Sequence, residues 1–274
     1  MSATPPSVAR KTTTQVFPLG ANVPNDTIAS GEMPMHRRGP SLAGAVLVLG
    51  GVASAAALVP VTTSNASAPQ MTAVSLMTQA LQNAVASGGV HEDSVARNGG
   101  FSIHIVDDIG ATQGRQVFTM SNGGTYTLLA FDTKKIAYER ANAKGLTFFQ
   151  MTKHPATYAN EWLVHKPSDP SYVSTVFATW LASDFTQYRL IGPLTLGPVT
   201  MLQGREVRTI SGTAPRVSNN PSEPATMYVT VTGTVLPVSL REKGGNGTFD
   251  VTWSKWGEHV ALLTPSPTVP YPTS

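Results

Sequence analysis

From residue 101 onward, apolar and polar side chains alternate in one segment after another, and only short turn sequences separate these segments. The alternation is clearest at 101–105, 227–231 and 249–253. A period of two places every second side chain on the same face of a β-strand. Connections this short join antiparallel neighbours, because a parallel crossover needs a dozen or more residues. The sequence therefore predicts an antiparallel β-meander.

The alternation and the turn residues predict nine strands and two helices. We predict strands at 101–106, 115–121, 126–131, 135–140, 146–151, 204–212, 226–233, 248–254 and 258–263, and assign no regular structure to 190–202. The first helix is predicted at 72–87, with Thr72 as N-cap, Gly88 and Gly89 as the stop, and an apolar stripe that includes Leu76 and Leu81. The second is predicted at 170–183, with Asp169 as N-cap and Pro170 in the first turn. Its apolar face comprises Val173, Val176, Phe177, Trp180 and Leu181.

Residues 42–61 carry no charged side chain, and Arg37 and Arg38 stand directly before them. As a helix this stretch would be about 30 Å long, enough to cross a hydrocarbon core. The positive-inside rule then places the N-terminus in the cytoplasm and the rest of the chain outside. If translation starts at Met35, however, the same stretch has the layout of a cleavable signal peptide, with small-residue sites at 53–55 and 66–68.

Four segments follow from these patterns: a disordered cytoplasmic tail at 1–40, a transmembrane anchor or signal segment at 41–62, a folded domain at 70–265, and a Pro-rich loose tail at 266–274. The chain has no cysteine, which excludes disulfides and thiolate metal sites. After the apolar stretch the basic and acidic residues nearly balance, at 15 and 14. Nucleic-acid binding is therefore not expected, since it requires a basic surface.

The sequence contains no recognisable catalytic motif: no nucleophile elbow, phosphate-binding loop, dinucleotide fingerprint or zinc-protease helix. The strongest metal-like clusters are His91–Glu92–Asp93 and Asp107–Asp108. Because both adjoin predicted loops, we interpret them as solvated charge and expect no metal site, no cofactor and no enzymatic activity.

Two C-terminal runs resemble the closing hairpins of actinobacterial LppX/LprG-type envelope lipoproteins. These runs are 225–238 and 249–257, and the runs 144–150, 160–164 and 169–172 are similar to the family's middle section in the same order. The resemblance covers about residues 70–265 and implies an α+β fold: a strongly curved antiparallel sheet, a half-barrel related to LolA, with helices on its concave face and an apolar cavity between. Some members carry lipids or glycolipids across the envelope. This chain departs from the family in lacking the lipobox cysteine.

Together these features lead to the hypothesis of an extracytoplasmic domain that holds a lipid or another apolar molecule between sheet and helices. The apolar lining is predicted to comprise Leu76, Leu81, Phe148, Phe149, Trp162, Val173, Val176, Phe177 and Trp180. The alternative for these side chains, and for Trp253 and Trp256, is that they form an ordinary core. The alternative function is an envelope sensor or protein-interaction domain of the same fold, with a protein partner and no transported ligand.

Overall fold

The fold is described from a computed structural model, which covers residues 71–169, 172–215, 223–245 and 247–272. The predicted tail at 1–40 and the predicted span at 41–62 lie outside these residues. Within the described part, no helix combines the length and the apolar character needed to cross a membrane.

In the described part of the chain, twelve strands form one sheet whose spatial order is β12-β6-β5-β4-β3-β2-β1-β11-β10-β9-β8-β7. The strands are β1 Gly89–Asn98, β2 Phe101–Gly110, β3 Gln113–Met120, β4 Thr125–Phe131, β5 Ile136–Ala141, β6 Leu163–His165, β7 Ile191–Leu202, β8 Arg205–Thr213, β9 Pro224–Thr230, β10 Pro237–Gly244, β11 Gly247–Ser254 and β12 Val269–Pro270. All neighbours are antiparallel except β12, which runs parallel to β6. The sheet is curved and unclosed, so the predicted α+β class with a curved antiparallel sheet is confirmed.

The helical elements are short apart from the first. They are α1 Ala73–Ala86, α2 Ala143–Phe148, α3 Pro155–Tyr158, α4 Tyr172–Val176, a 3-10 turn Phe177–Thr179 and α5 Leu181–Gln187. In α1 the predicted cap is confirmed: the Thr72 hydroxyl accepts from Ser75 N at 3.1 Å, and the Ser75 side chain reaches back to the cap. Leu76, Met77 and Ala80 on its apolar stripe are buried.

The outermost strand β7 is long but irregular. Its pairing with β8 shifts register between Ile191 and Thr195 and again between Leu196 and Val199. Pro193 and Pro198 lie within these two interruptions. Among the described residues, β7 pairs only with β8.

The structure corrects several strand assignments. Residues 89–98, which include the expected loop cluster His91–Asp93, form β1, and 190–202, which had no assignment, contains β7. The predicted strand at 146–151 is replaced by α2, because the Asn142 side chain caps a helix by accepting from Gly145 N at 2.9 Å. The segment 258–263 forms no strand.

The predicted helix at 170–183 is broken into α4, the 3-10 turn and α5. The break lies at Trp180, whose backbone is extended, and Thr179 Oγ1 donates to Val176 O at 2.7 Å just before it. The Asp169 carboxylate accepts from Lys166 N at 2.7 Å and so closes the preceding turn. Val173 does not share the buried face, since 65% of its surface is exposed.

The C-terminal segment predicted as a loose tail is in part attached to the sheet. Val269 N donates to Trp162 O at 2.8 Å and Tyr271 N donates to Val164 O at 3.1 Å. The Tyr271 ring stacks on His165 with 4.2 Å between the ring centroids. These contacts cover the edge of β6.

Candidate functional site

One face of the sheet carries the helices, and its residues can be followed from strand to strand by register. A single line of paired residues crosses this face: Trp253, Glu92, Asp107, Gln116, Leu128, Glu139 and Leu163. Every second residue along each strand faces the same way, so the inward positions of the strands are fixed by this line. Three of its seven members are carboxylic acids in a position where apolar side chains are the rule.

Two apolar clusters lie on this face. The first packs α1 and α5 on the strands from β1 towards β8, and it contains Leu76, Phe185 and Trp253. The second packs α2 and α4 on β2 to β6, and it contains Phe118, Leu146 and Val176. The polar part of the line, at Glu92 and Asp107, lies at the join between the clusters.

An aromatic group at the end of α2 forms one margin of the second cluster. Phe149 lies 4.5 Å from Tyr126 and 5.3 Å from Phe118, measured between ring centroids, and Phe148 stacks on Phe101 at 5.6 Å. Phe101, Phe148 and Phe149 are only half-buried, as is their neighbour Ile105. The buried core of the second cluster therefore extends into an apolar margin that is partly exposed to solvent.

Gly145 sets the position of these aromatic rings. A Cβ at this residue would stand 2.1 Å from the Thr125 carbonyl oxygen, so the close approach of α2 to the start of β4 requires glycine. This approach carries the C-terminal end of α2, with Phe148 and Phe149, onto the sheet.

The structure distributes the nine predicted lining residues over several environments. Phe148, Phe149, Val176 and Trp180 come together in the second cluster, whereas Leu76 and Leu81 belong to the first. Trp162 lies in a third cluster with Tyr138 and Val164, beneath the guanidinium of Arg140 at 5.7 Å. Register places that cluster on the opposite face of the sheet, because Tyr138 pairs with Val164 and Leu129 and alternates with the inward Glu139. Val173 is exposed and Phe177 is half-buried.

The 3-10 turn after α4 touches the sheet directly. A Cβ on Gly114 would stand 2.8 Å from the Thr179 carbonyl oxygen and 2.9 Å from the Thr179 Cβ. Val176 is fully buried beside it. At this point side chains and backbone fill the space between helices and sheet.

Three carboxylic acids are buried together where the clusters join. Glu92 accepts from Tyr188 Oη at 2.6 Å and from Trp253 Nε1 at 2.9 Å. Asp184, at the start of α5, hydrogen-bonds with Glu92, and Asp107 accepts from Gln116 Nε2 at 3.1 Å. Among the residues that the structure describes, the hydrogen-bond donors around these acids are neutral groups, and no salt bridge to the acids offsets the desolvation.

Burial dominates the titration of these acids. It raises the pKa of Glu92 to about 7, although hydrogen bonds from Tyr188 and Trp253 act in the other direction. It also raises the pKa of Asp107 and of Asp184 well above the ordinary value, and the nearby charge of Glu92 adds to both. The three acids therefore release their protons at higher pH than exposed carboxylic acids do, and Asp184 in its protonated form can donate to Glu92.

A second polar group surrounds Glu139, further along the same line. His165 Nδ1 lies 3.3 Å from Glu139 Oε1, and both side chains are buried. Burial, and after it the charge of Glu139, raises the pKa of Tyr126 well above its ordinary value.

The opposite face brings together residues that the sequence separates. His91 Nδ1 lies 2.7 Å from Asp108 Oδ1, and Arg115 donates to the other oxygen of Asp108. Glu258 joins them from the loop after β11. Burial acts to raise the pKa of Asp108, but the hydrogen bonds and charges of His91 and Arg115 outweigh it, so this pKa lies below its ordinary value.

The sequence predicted the two acidic clusters to be solvated charge beside loops, and this was wrong for two of their five members. Glu92 and Asp107 point into the core, whereas His91, Asp93 and Asp108 point outward. The alternation of β2 contained the signal, because Asp107 stands between Ile105 and Ile109 in the inward register. Asp184 and Tyr188 had no comparable signal, because helix α5 was not predicted as a separate element.

No family profile matches the chain, and no curated protein matches it. Similar solved structures include LprF from Mycobacterium bovis, at 15% identity and a TM-score of 0.47, covering 70% of this chain and 96% of LprF. The lipoprotein LppX from Mycobacterium tuberculosis is 17% identical, with a TM-score of 0.43 over 69% of this chain and 99% of LppX. A DUF1329 family protein from Desulfovibrio piger is 11% identical, with a TM-score of 0.28 over 70% of this chain and 93% of that protein.

Proposed function

We propose that the folded domain binds a lipid or another apolar molecule at the aromatic margin of the second cluster, as a carrier or chaperone outside the cytoplasm. The observation that supports this proposal is the half-exposed state of Phe101, Ile105, Phe148 and Phe149 on top of a fully buried core. Contiguous apolar surface of this kind marks binding sites in soluble proteins. Neither a catalytic residue nor a cofactor is part of the proposal.

An acyl chain is the ligand that fits this surface. The margin presents aromatic rings and one aliphatic side chain, and its binding energy would come from apolar area removed from water, about 0.8 kcal/mol per methylene. Affinity would then rise with chain length and depend little on the headgroup. Because the 3-10 turn is packed on Gly114, the ligand would enter beside α2 and not beneath α4.

Binding of a fluorescent fatty-acyl probe tests the proposal. We expect the full-length protein to take up the probe, and Phe148→Ser to weaken uptake roughly tenfold or more, because a large aromatic contact worth about 1.5–3 kcal/mol is lost. Val199→Ser is the matched control, since Val199 is an exposed apolar residue on β7, far along the sheet from α2. Thermal melting of both variants controls for folding. Equal uptake by Phe148→Ser and wild type, with both folded, would place the binding site elsewhere.

The alternative function, binding of a protein partner without a transported ligand, is favoured by one observation. The contact between Thr179 and Gly114 fills part of the space in which a carrier would hold its cargo. Two results together would support this alternative. Mass spectrometry of solvent extracts would find no lipid in the purified protein, and the protein would not bind acyl probes.

The location outside the cytoplasm rests on Arg37 and Arg38 before the uncharged stretch at 42–61. We expect a reporter enzyme fused after Ser274 to be active only outside the cytoplasm, whereas cytoplasmic activity would refute this location. Membrane-bound protein of full-length mass would indicate a retained anchor in the cytoplasmic membrane. A soluble fragment that starts near Ala56 or Pro69 would indicate signal cleavage.

A further inference from the structure

Three metal-ligating side chains converge on the face of the sheet that is opposite the helices. His91 comes from β1, Asp108 from its partner position on β2, and Glu258 from the loop that follows β11. One ligand atom of each lies within 4.8 Å of those of the other two. These residues are separated in sequence, so the sheet topology alone brings them together.

The loop that carries Glu258 is held against β1. Gly257 N donates to Gly89 O at 2.8 Å. A Cβ on Gly89 would stand 2.1 Å from the Glu258 carbonyl oxygen, so only glycine allows the loop to come this close. The Glu258 carboxylate is thereby fixed beside the His91–Asp108 pair.

Glu258 supplies a separate observation that points to a ligand at this site. Its Oε1 atom is inaccessible to water and has no hydrogen-bond partner among the described residues. Lys255 Nζ is 3.9 Å from the other oxygen, Oε2, which is too far for a hydrogen bond. A buried carboxylate oxygen without a donor is unfavourable, and a cation bound between Oε1 and the His91–Asp108 pair would satisfy it.

We propose that His91, Asp108 and Glu258 bind a divalent transition-metal ion of the Zn²⁺ class. One imidazole nitrogen and two carboxylate oxygens are ligands that Zn²⁺ accepts, whereas Ca²⁺ and Mg²⁺ prefer oxygen ligands alone. The ion would take the place of the hydrogen bond between His91 Nδ1 and Asp108 Oδ1, which lie 2.7 Å apart. Arg115 holds the second oxygen of Asp108 and so orients the first oxygen towards the ion. Three protein ligands leave a position for water.

A similar pair on the same face provides an internal comparison. His104 Nε2 lies 3.1 Å from both carboxylate oxygens of Asp93, but no third ligand of the described residues joins this pair. Both pairs are histidine–aspartate contacts between β1 and β2. The His104–Asp93 pair therefore serves as a control that lacks the contacts of Glu258 and of Arg115.

Isothermal titration of the full-length protein with ZnCl₂, and separately with MgCl₂, tests the proposal. We expect one equivalent of Zn²⁺ to bind and to raise the melting temperature, and Mg²⁺ to bind at least tenfold more weakly. His91→Ala and Glu258→Gln should abolish the melting shift, whereas His104→Ala should retain it. Circular dichroism of each metal-free variant controls for folding, and a variant that fails to fold is replaced by His91→Gln.

Two results would overturn the inference. One is the absence of a saturable equivalent of Zn²⁺ in the wild-type titration, which would leave the contacts of His91 and Arg115 with Asp108 as ordinary ion pairs. The other is unchanged binding in folded His91→Ala and Glu258→Gln, which would assign the ion to other residues. Neither result depends on whether the domain carries a lipid.

Discussion

Raising the pH from 5 to 8 should lower the free energy of unfolding of the domain by about 3 kcal/mol or more, measured by urea denaturation in buffer that contains a metal chelator. The cause is the buried acid group of Glu92, Asp107 and Asp184. A pKa raised from 4.5 to about 7 at Glu92 alone corresponds to about 3 kcal/mol. Asp107 and Asp184 act in the same direction, since their pKa values are also raised.

The direction follows from proton binding. Between pH 4.5 and about 7 the folded protein keeps the Glu92 proton, whereas the unfolded chain releases it. The folded state then binds more protons than the unfolded state, so every increase in pH in this window favours unfolding. Above about pH 7 the contribution of Glu92 levels off, because both states have lost the proton.

Asp184→Asn is the variant that tests the assignment. The asparagine amide can donate to Glu92 as the protonated acid does, so this variant should be more stable than wild type at pH 8 and should depend less on pH. Asp250→Asn is the control, because Asp250 is a half-exposed carboxylate paired with Arg97 and Arg241. Burial raises the pKa of Glu242 to about 7 as well. Part of the pH dependence of the unfolding free energy should therefore remain in both variants. A wild-type unfolding free energy that stays constant or rises from pH 5 to 8 would contradict the prediction.

Val176→Asp should unfold the domain or destabilise it by about 4 kcal/mol or more, because it buries an unpaired carboxylate in the second cluster. Val176 is fully buried between α4 and the sheet. Thermal and urea denaturation followed by circular dichroism would measure the loss.

Val173→Asp is the matched control on the same helix. With 65% of its surface exposed, Val173 should tolerate the change within about 0.5 kcal/mol. Wild-type stability of Val176→Asp would mean that α4 is not packed on the sheet. A ligand could then occupy the space between α4 and the sheet.

The parts of the fold that sequence patterns predicted are those in which local signals and tertiary packing agree. The inward residues Met227 and Val229 of β9 and Val251 and Trp253 of β11 are apolar and buried, so their alternation was visible. Helix α1 was predicted with its N-cap, because the Thr72 cap and the apolar stripe coincide in one segment.

The sequence patterns failed for two kinds of element: strands in which a polar residue faces the core, and short apolar runs that could form either a strand or a helix. β1 was missed because Glu92 and Ser94 face the core. The apolar pattern of the run 144–150 is compatible with either a strand or a helix. It forms a helix because the Asn142 side chain caps its N-terminus. For the site, the structure brings Phe148, Phe149, Val176 and Trp180 into one cluster but places Trp162 on the opposite face of the sheet, because sequence patterns could not separate the two faces.

The irregularity of β7 bears on how the molecule behaves at high concentration. An exposed sheet edge of twelve residues is ordinarily a template on which a second chain can add a strand and begin to aggregate. Pro193 and Pro198 have no N–H to donate to such a strand, and the two register shifts interrupt the straight row of groups that it would need. Val199 and Met201 can therefore stay exposed on this edge without making it a seed for polymerisation.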